Sequence, residues 1–363
     1  MSKIVSVKRH YIYIPYKAPV APYWGWQAAT YGAHGIIVEV HTADGLVGYG
    51  ETAGREAQFF HQKAGEFVIG KDADNINGLT IELKANDHSN QAISGIEMAL
   101  WDLKGKRCGL PLYQLLGGKV REQVPLCGLM GIKVPQDAVD TARLYRDEYG
   151  FKSIKTKAGR DAEEDLNIAT ALHNELGGSI KMRLDANQSY SIDEFVSLGT
   201  QLDELDSIEY FEQPVHHDLI QHLKGVREQL QLPIALNESV TDSKSVALIG
   251  RLQAADYLVP DIPDAGGIGE VLAIGNVAHA SDLGCAFHCW HDMGIKTAAI
   301  AHVVSSQPAF GLACDSTYFG LENDIITAPF KISNGSITAP DLPGLGVEPD
   351  FDMIEKYRKE NID

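Results

Sequence analysis

The chain has 363 residues, 44% of them apolar, which is enough for a large core, points to about two domains and argues against disorder. Its 31 Lys+Arg against 49 Asp+Glu leave a formal net charge of -18, a field that repels phosphate backbones and anionic membrane surfaces and argues against nucleic acid or membrane as a partner. The five cysteines, Cys108, Cys127, Cys285, Cys289 and Cys314, show no C-x-x-C spacing, and no apolar run approaches a membrane span, so a reduced, soluble, cytoplasmic protein is expected.

In chain order, "KIVSVKRHYIYIPY" alternates apolar and polar residues as a strand does. "GIIVEVHTADGLVGYGET" reads as a hairpin turning at Ala43, Asp44 and Gly45. Helical periodicity follows over 56–68 and 91–105, and the turn residues of "GLPLYQLLGG" end a first α+β module, residues 1–123. From residue 124 to 320 the pattern becomes strict strand–helix alternation. Strand ends fall at "PLCGLMG", "FKSIKTKAG", "IKMRLDANQS", "IEYFEQP", "LPIALNES", "YLVPD", "GCAFHCW" and "AFGLACD". Eight such units fit a closed parallel barrel or an open doubly wound sheet. The tail, residues 321–363, carries an "NG" turn and is expected to fold back on the first module.

Polar residues end successive strands at nearly constant spacing. Lys157, Asp185, Glu212, Glu238, Asp261 and His288 are separated by 28, 27, 26, 23 and 27 residues. One strand, one helix and two loops take about 25 residues, so these side chains belong to adjacent strands at one face. In a barrel that is the C-terminal face, where the chemistry sits. Asp185, Glu212 and Glu238 would then converge. Three carboxylates in one place repel unless a cation lies between them, and an all-oxygen set suits a hard ion, Mg²⁺ ahead of Ca²⁺ or Mn²⁺. The alternative is that each merely caps the helix after its strand.

Two groups flank this centre. Lys155 and Lys157 are two apart and share a strand face, and neighbouring cations lower each other's pKa, which can leave one of them a base. On the other side, Asp261 accepting from one nitrogen of His288 would fix the ring tautomer and make the second nitrogen an acid or base. Asp264, just before a glycine pair, reads as the start of a turn. A cation holding a substrate carboxylate, with bases on two sides, allows an α-proton to be removed from one face and delivered to the other. It equally allows proton removal with acid-assisted loss of a β-hydroxyl.

These motifs resemble the mandelate racemase branch of the enolase superfamily, over essentially the whole chain. "SIKTKAG" is similar to its Lys-x-Lys strand, "RLDANQS" and "YFEQP" to its metal-ligand strands, and "GLPLYQLLGG" and "PDLPGLGV" to further family segments. The resemblance implies a modified (β/α)7β TIM barrel with an N-terminal α+β capping domain and one Mg²⁺ per chain, with Mn²⁺ as a substitute. It implies Lys157 as one base and His288, paired with Asp261, as the other, with Lys155 and Asn187 near the carboxylate of a small-molecule substrate. Large barrel enzymes of this kind usually assemble symmetrically, so a homo-oligomer is expected.

Three positions depart from, or refine, the pattern. Asp261 stands where the muconate-lactonising and dipeptide-epimerase branch has a lysine, and "LNESV" offers Glu238 as third ligand; both favour a mandelate racemase-like enzyme over a cycloisomerase. The eighth strand, "GLACDSTY", lacks the racemase glutamate, so Asp315 or Cys314 would stand in. His291 rivals His288 but lies in a loop. In the early loop the family uses for specificity, Tyr23, Trp24 and Trp26 would cover an apolar, aromatic or quaternary ammonium group. The same two bases serve a racemase or epimerase and an acid dehydratase, and a non-catalytic binding protein on the same barrel is the remaining alternative.

Overall fold

The computed structural model describes residues 2–26, 28–54 and 58–359. The first module is a three-stranded antiparallel sheet of Ile4–Pro15, Gly32–Thr42 and Val47–Ala53 with the second of these in the centre. The expected hairpin turn is there, with the Thr42 amide donating to the Leu46 carbonyl at 3.0 Å and Gly45 at φ 87°. Helices Gln58–Val68, Ile76–Ala85 and Asn90–Cys108 cover the sheet. The expected helix over 56–68 begins at positions outside the described residues.

The long helix Asn90–Cys108 starts where the Ser89 hydroxyl accepts from the Ala92 amide and stops at left-handed Gly109. It packs directly on the third strand because that strand presents glycines. A Cβ on Gly50 would lie 2.0 Å from the Gly95 carbonyl oxygen, so any side chain there would force the layers apart.

The second module is a barrel of eight parallel strands: Val124–Met130, Ser153–Lys157, Lys181–Asp185, Ile208–Glu212, Ile234–Leu236, Tyr257–Leu258, Gly284–Cys285 and Cys314–Ser316. Pairing runs continuously from the seventh back to the first strand and on to the eighth. Between the eighth and seventh the ring is closed by single bonds, such as Asp315 N–H to the Phe287 carbonyl at 2.9 Å. Helical segments follow strands one to seven, and after the eighth there is only the 3₁₀ turn Tyr318–Gly320. This is the (β/α)7β arrangement, and it excludes the open sheet.

Left-handed Asn334 and Gly335 make the tail's turn, and the tail touches the first module from its start, where Leu321 bridges Tyr16 and the Glu322 amide donates to the Pro15 carbonyl at 2.9 Å. Ser336–Ile337 pairs antiparallel with Pro125 and Val124. Those two residues precede the ladders that the first barrel strand forms with its neighbours, so their backbone groups are free to pair. The chain then meets the capping sheet a second time, through helix Phe351–Tyr357 and a bridge between Arg358 and Ile12. Among the described residues no helix is long and apolar enough to cross a membrane.

Candidate active site

Strand register places the ladder residues together. Lys157 pairs with Asp185, and Asp185 with Glu212, as the last residues of their strands. Glu212 pairs with Ala235, three residues before Glu238. Leu258 pairs with Cys285, and Asp261 and His288 each lie three residues further on. All six therefore reach the C-terminal mouth of the barrel. None of the three metal candidates caps a helix. The helical segments after strands three, four and five are capped by Ser191, His216 and Asp242, which accept from the backbone of Glu194, Asp218 and Ser245. The carboxylates of Asp185, Glu212 and Glu238 are thus left for the mouth.

Asp185 and Glu212 are fully buried and Glu238 is half-buried, and the three hold cations and donors between them. Lys155 Nζ lies 2.7 Å from Glu212 Oε1 and 3.2 Å from Asp185 Oδ2. Lys157 Nζ lies 2.5 Å from Asp185 Oδ2 and 2.8 Å from Asn187 Oδ1, while Asn187 Nδ2 donates to Glu238 Oε1 at 3.1 Å. Burial pushes Glu212 up to about 8 despite Lys155, and burial followed by the Asp185 charge raises Glu238. Against the same penalty of burial, Lys155 and Lys157 hold the Asp185 carboxyl well below its usual range. The second oxygens of Glu212 and Glu238 are buried and have no hydrogen-bond partner. Buried, unpartnered carboxylate oxygens on adjacent strand ends are what a hard cation takes as ligands, so these residues fit Mg²⁺.

The two lysines divide in role. Lys155 is 1% exposed and touches three carboxylates, Asp185, Glu212 and Asp315. Burial alone would lower its pKa, but these anions raise it well above the ordinary value. The three carboxylates around Lys155 thus outweigh the repulsion of Lys157 and favour its charged form. Lys157, with its side chain 13% exposed, is the lysine that lines the cavity.

Across the mouth, His288 Nδ1 lies 3.0 Å from Asp261 Oδ2. Burial first, then Lys155 and Lys157, push His288 down to about 3, so at neutral pH its ring is uncharged and able to accept a proton. Strands two and seven are separated by four strands in one direction round the ring and by two in the other. Lys157 and His288 thus approach one cavity of about 320 Å³ from different sides.

The sequence can now be set beside known proteins. Residues 20–117 match the family described as "Mandelate racemase / muconate lactonizing enzyme, N-terminal domain", and residues 137–353 match "Enolase C-terminal domain-like". The chain belongs to the mandelate racemase/muconate lactonizing enzyme family of the enolase superfamily. It is 29% identical to an arabinonate dehydratase of Saccharolobus solfataricus, covering 89% of this chain and 90% of the relative. It is 30% identical to a hydrophobic dipeptide epimerase of Enterococcus faecalis, covering 87% and 92%. A dipeptide epimerase from Cytophaga hutchinsonii, solved with Mg and the dipeptide D-Ala-L-Val, superposes with a TM-score of 0.91 at 25% identity over 98% of each chain.

The cavity lining of this enolase-superfamily chain differs from the sequence reading at Trp24, Asp315, Cys314 and Asp264. Tyr23 and Trp26 line it, but Trp24 does not. Tyr23 and Trp24 form a two-residue strand, Tyr23–Trp24, paired with Ala29–Thr30; successive side chains of a strand point to opposite faces, so Tyr23 is 4% exposed and Trp24 40%. Asp315 does not line the cavity either. The wholly buried guanidinium of Arg183 requires a counter-ion, and Asp315 is held 3.0 Å from Arg183 Nη1 and 2.7 Å from Lys155 Nζ, beneath the site. Cys314 is likewise absent from the lining. Asp264, read as a turn residue, does line the cavity and accepts from Trp290 Nε1 at 2.7 Å.

Ligand atoms of Asp261, Asp264 and His288 come within 4.8 Å of one another; His288 is hydrogen-bonded to Asp261, and Asp264 is engaged by Trp290. His291 also lines the cavity, but its Nδ1 is engaged by the Tyr16 hydroxyl and its ring stands edge-on to Tyr23. Asp264 sits between Pro263 and a glycine pair, and no local pattern in the sequence separates it from an ordinary turn residue. Trp290, two residues past His288, was the available signal, since a tryptophan N–H in an apolar pocket needs an acceptor.

Proposed function

We propose that the chain is an Mg²⁺-dependent enzyme that removes the proton α to the carboxylate of a small hydroxy- or related acid, giving racemisation, epimerisation or dehydration. The observation that carries this reading is the placement of Lys157 and of a neutral, carboxylate-oriented His288 on different sides of one cavity that Glu238 lines, with Asp185 behind Lys157 and Glu212 on the next strand end. Mg²⁺ bound by those three carboxylates supplies positive charge beside the substrate carboxylate, which makes the α-proton more acidic. Lys155 adds a fixed charge to the same region without exchanging protons. Lys157 Nζ and His288 Nε2 take or return the proton at opposite faces, and Asp261 keeps Nδ1–H of His288 directed away from the cavity. Relatives named as a dehydratase and as an epimerase support the shared first step. The choice between outcomes belongs to the substrate: with a β-hydroxyl, His288 in its protonated form is placed to assist its departure. Asp261, hydrogen-bonded to an imidazole, disfavours the cycloisomerase alternative, which rests on a lysine at that strand.

The test is a carboxylic-acid library incubated with the protein and Mg²⁺ in D₂O, following deuterium uptake and keto-acid formation together. Lys157→Ala and His288→Asn are each expected to lose about 10²–10⁴-fold in exchange at a different face of the substrate. Asp185→Asn is expected to lose the bound Mg²⁺ and all exchange. Full turnover in both base variants would overturn the assignment.

A further inference from the structure

The histidine side contains a cation with no part in the chemistry above. Lys296 lies in the first turn of helix Gly294–Ser306 and is 1% exposed. Its Nζ stands 2.6 Å from Asp261 Oδ1 and 2.6 Å from Asp292 Oδ1. The angles of these contacts are not those of hydrogen bonds, so charge and distance carry the attraction. Asp261 uses its other oxygen, Oδ2, for His288. Asp292, Lys296, Asp261 and His288 thus form a buried line of alternating partners that ends at the cavity. The helix is anchored as well: Glu51 accepts from the backbone N–H groups of Met293 at 2.7 Å and Lys296 at 2.8 Å, and Asp324 from Gly294 at 3.0 Å.

We infer that Lys296 is a positioning residue for the His288–Asp261 pair: it grips one oxygen of Asp261 so that the other meets His288 Nδ1, and its charge keeps Asp261 a carboxylate. A carboxylate held at one oxygen by a cation and at the other by an imidazole has no freedom to rotate. Without the cation, Asp261 and Asp292 would be two buried anions with no fixed counter-ion, and the pair would satisfy this by taking up a proton at higher pH. The other charges around the pair stay in place. Lys155 and Lys157 on the second strand oppose protonation of His288, Asp315 on the eighth strand and Asp264 after the sixth favour it, and Asp185 faces it from the third. Glu51 lies behind Asp292 and Lys296. Removing a positive charge from this set raises the proton affinity of the pair, and that fixes the sign of the test.

The inference rests on the reading of His288 as a base, and the experiment separates the two. The full chain is labelled with ¹³C,¹⁵N-histidine, the His288 signals are assigned by their loss in His288→Asn, and the ring is titrated by NMR without substrate. In Lys296→Met the His288 midpoint is expected to rise by about one pH unit or more, and in Lys296→Arg to return towards wild type. The double variant Lys296→Gln/Asp292→Asn removes one buried charge of each sign, which spares the fold if Lys296→Met does not; a smaller rise in the same direction is expected, because Lys296 touches Asp261 directly and Asp292 acts only from beyond it. A wild-type midpoint in either folded variant overturns the inference. Deuterium uptake from the library adds a second readout: exchange at the His288 face should fall about tenfold at neutral pH in Lys296→Met, with its acid limb moved by the NMR shift, while exchange at the Lys157 face persists. Absence of exchange in wild type would sink the proton-abstraction reading and leave the titration result standing.

Discussion

On the lysine side of the cavity, Lys157, Asp185 and Glu212 are the last members of a continuous ladder of paired strand residues. On the histidine side pairing stops at Leu258 and Cys285, three residues short of Asp261 and His288. One side is therefore aimed by backbone hydrogen bonds, the other by side chains and a helix end. The two pay for burial differently. Lys155 gathers three carboxylates that arrive on regular strands, whereas Lys296 joins Asp261 to Asp292 across a loop whose helix is capped by Glu51 from the other domain. Backbone register keeps a strand-end side chain aimed when a neighbouring side chain is changed; a side-chain relay does not.

The first way to break this contrast is at Lys155. Lys155→Met leaves Glu212 and Asp315 buried with one cation fewer, and a loss of about 3–5 kcal/mol is expected in urea unfolding. Lys157→Met should cost only about 1 kcal/mol, because Asp185 keeps Lys155 at 3.2 Å and Lys157 is partly in solvent. Equal losses would mean that the two lysines do not divide into a structural and a reactive cation.

A smaller effect is expected where the capping domain holds the histidine side. Burial lifts Glu51 to about 8, outweighing the amides of Lys296 and Met293 that favour its charged form. The folded chain therefore binds this proton more tightly than the unfolded chain, whose glutamate titrates near the ordinary value of about 4.3. The contribution is complete below that value and is lost as pH rises through about 8. Glu51→Gln turns an amide N–H towards a backbone N–H and should cost about 1–3 kcal/mol at pH 5. The gap to wild type should narrow by pH 9, since only the wild type loses stability over that range. Parallel unfolding curves at the two pH values would refute the role of burial here.

The contrast between the sides also explains what the sequence could reveal. A functional residue at the end of a paired strand recurs with the period of the strand–helix unit, so Lys157, Asp185, Glu212 and Glu238 were legible from spacing, as were the eight strands and the NG turn. Asp261 and His288 kept that period even though they lie past the ladder. The partners that aim them have no period. Lys296 is a lysine inside the apolar helix segment "GIKTAAIAHVV", and Glu51 and Glu97 are single acids in apolar surroundings. Each is an unpaired charge on a face that must be buried, which marks it as needing a partner but does not name the partner. Glu97 illustrates this: it accepts from Ile268 and Gly269, at the start of a helix 171 residues away. Asp315 misled for the opposite reason. Strand position placed it at the mouth, but the direction of its side chain was decided by Arg183, buried on another strand.

The smallest expected effect concerns the ribbon over the mouth, where register again decides function. Trp24 and Trp26 are similarly exposed, at 40% and 39%, so exposure does not distinguish them. They differ in what lies beneath: Trp26 borders the cavity, whereas Trp24 contributes its backbone carbonyl to the Ile132 amide at 2.7 Å and turns its ring outward. A ring that covers bound substrate with part of its surface is worth about 1–2 kcal/mol, or roughly five- to thirtyfold in binding. Trp26→Ala should therefore raise KM within that range with kcat nearly unchanged, because the ring touches no reacting atom. Trp24→Ala keeps the carbonyl and should leave both constants within about twofold of wild type. A larger effect at Trp24 than at Trp26 would mean that the ribbon sits over substrate with its other face inward, and the alternation that separates Tyr23 from Trp24 would then be reversed in the working enzyme.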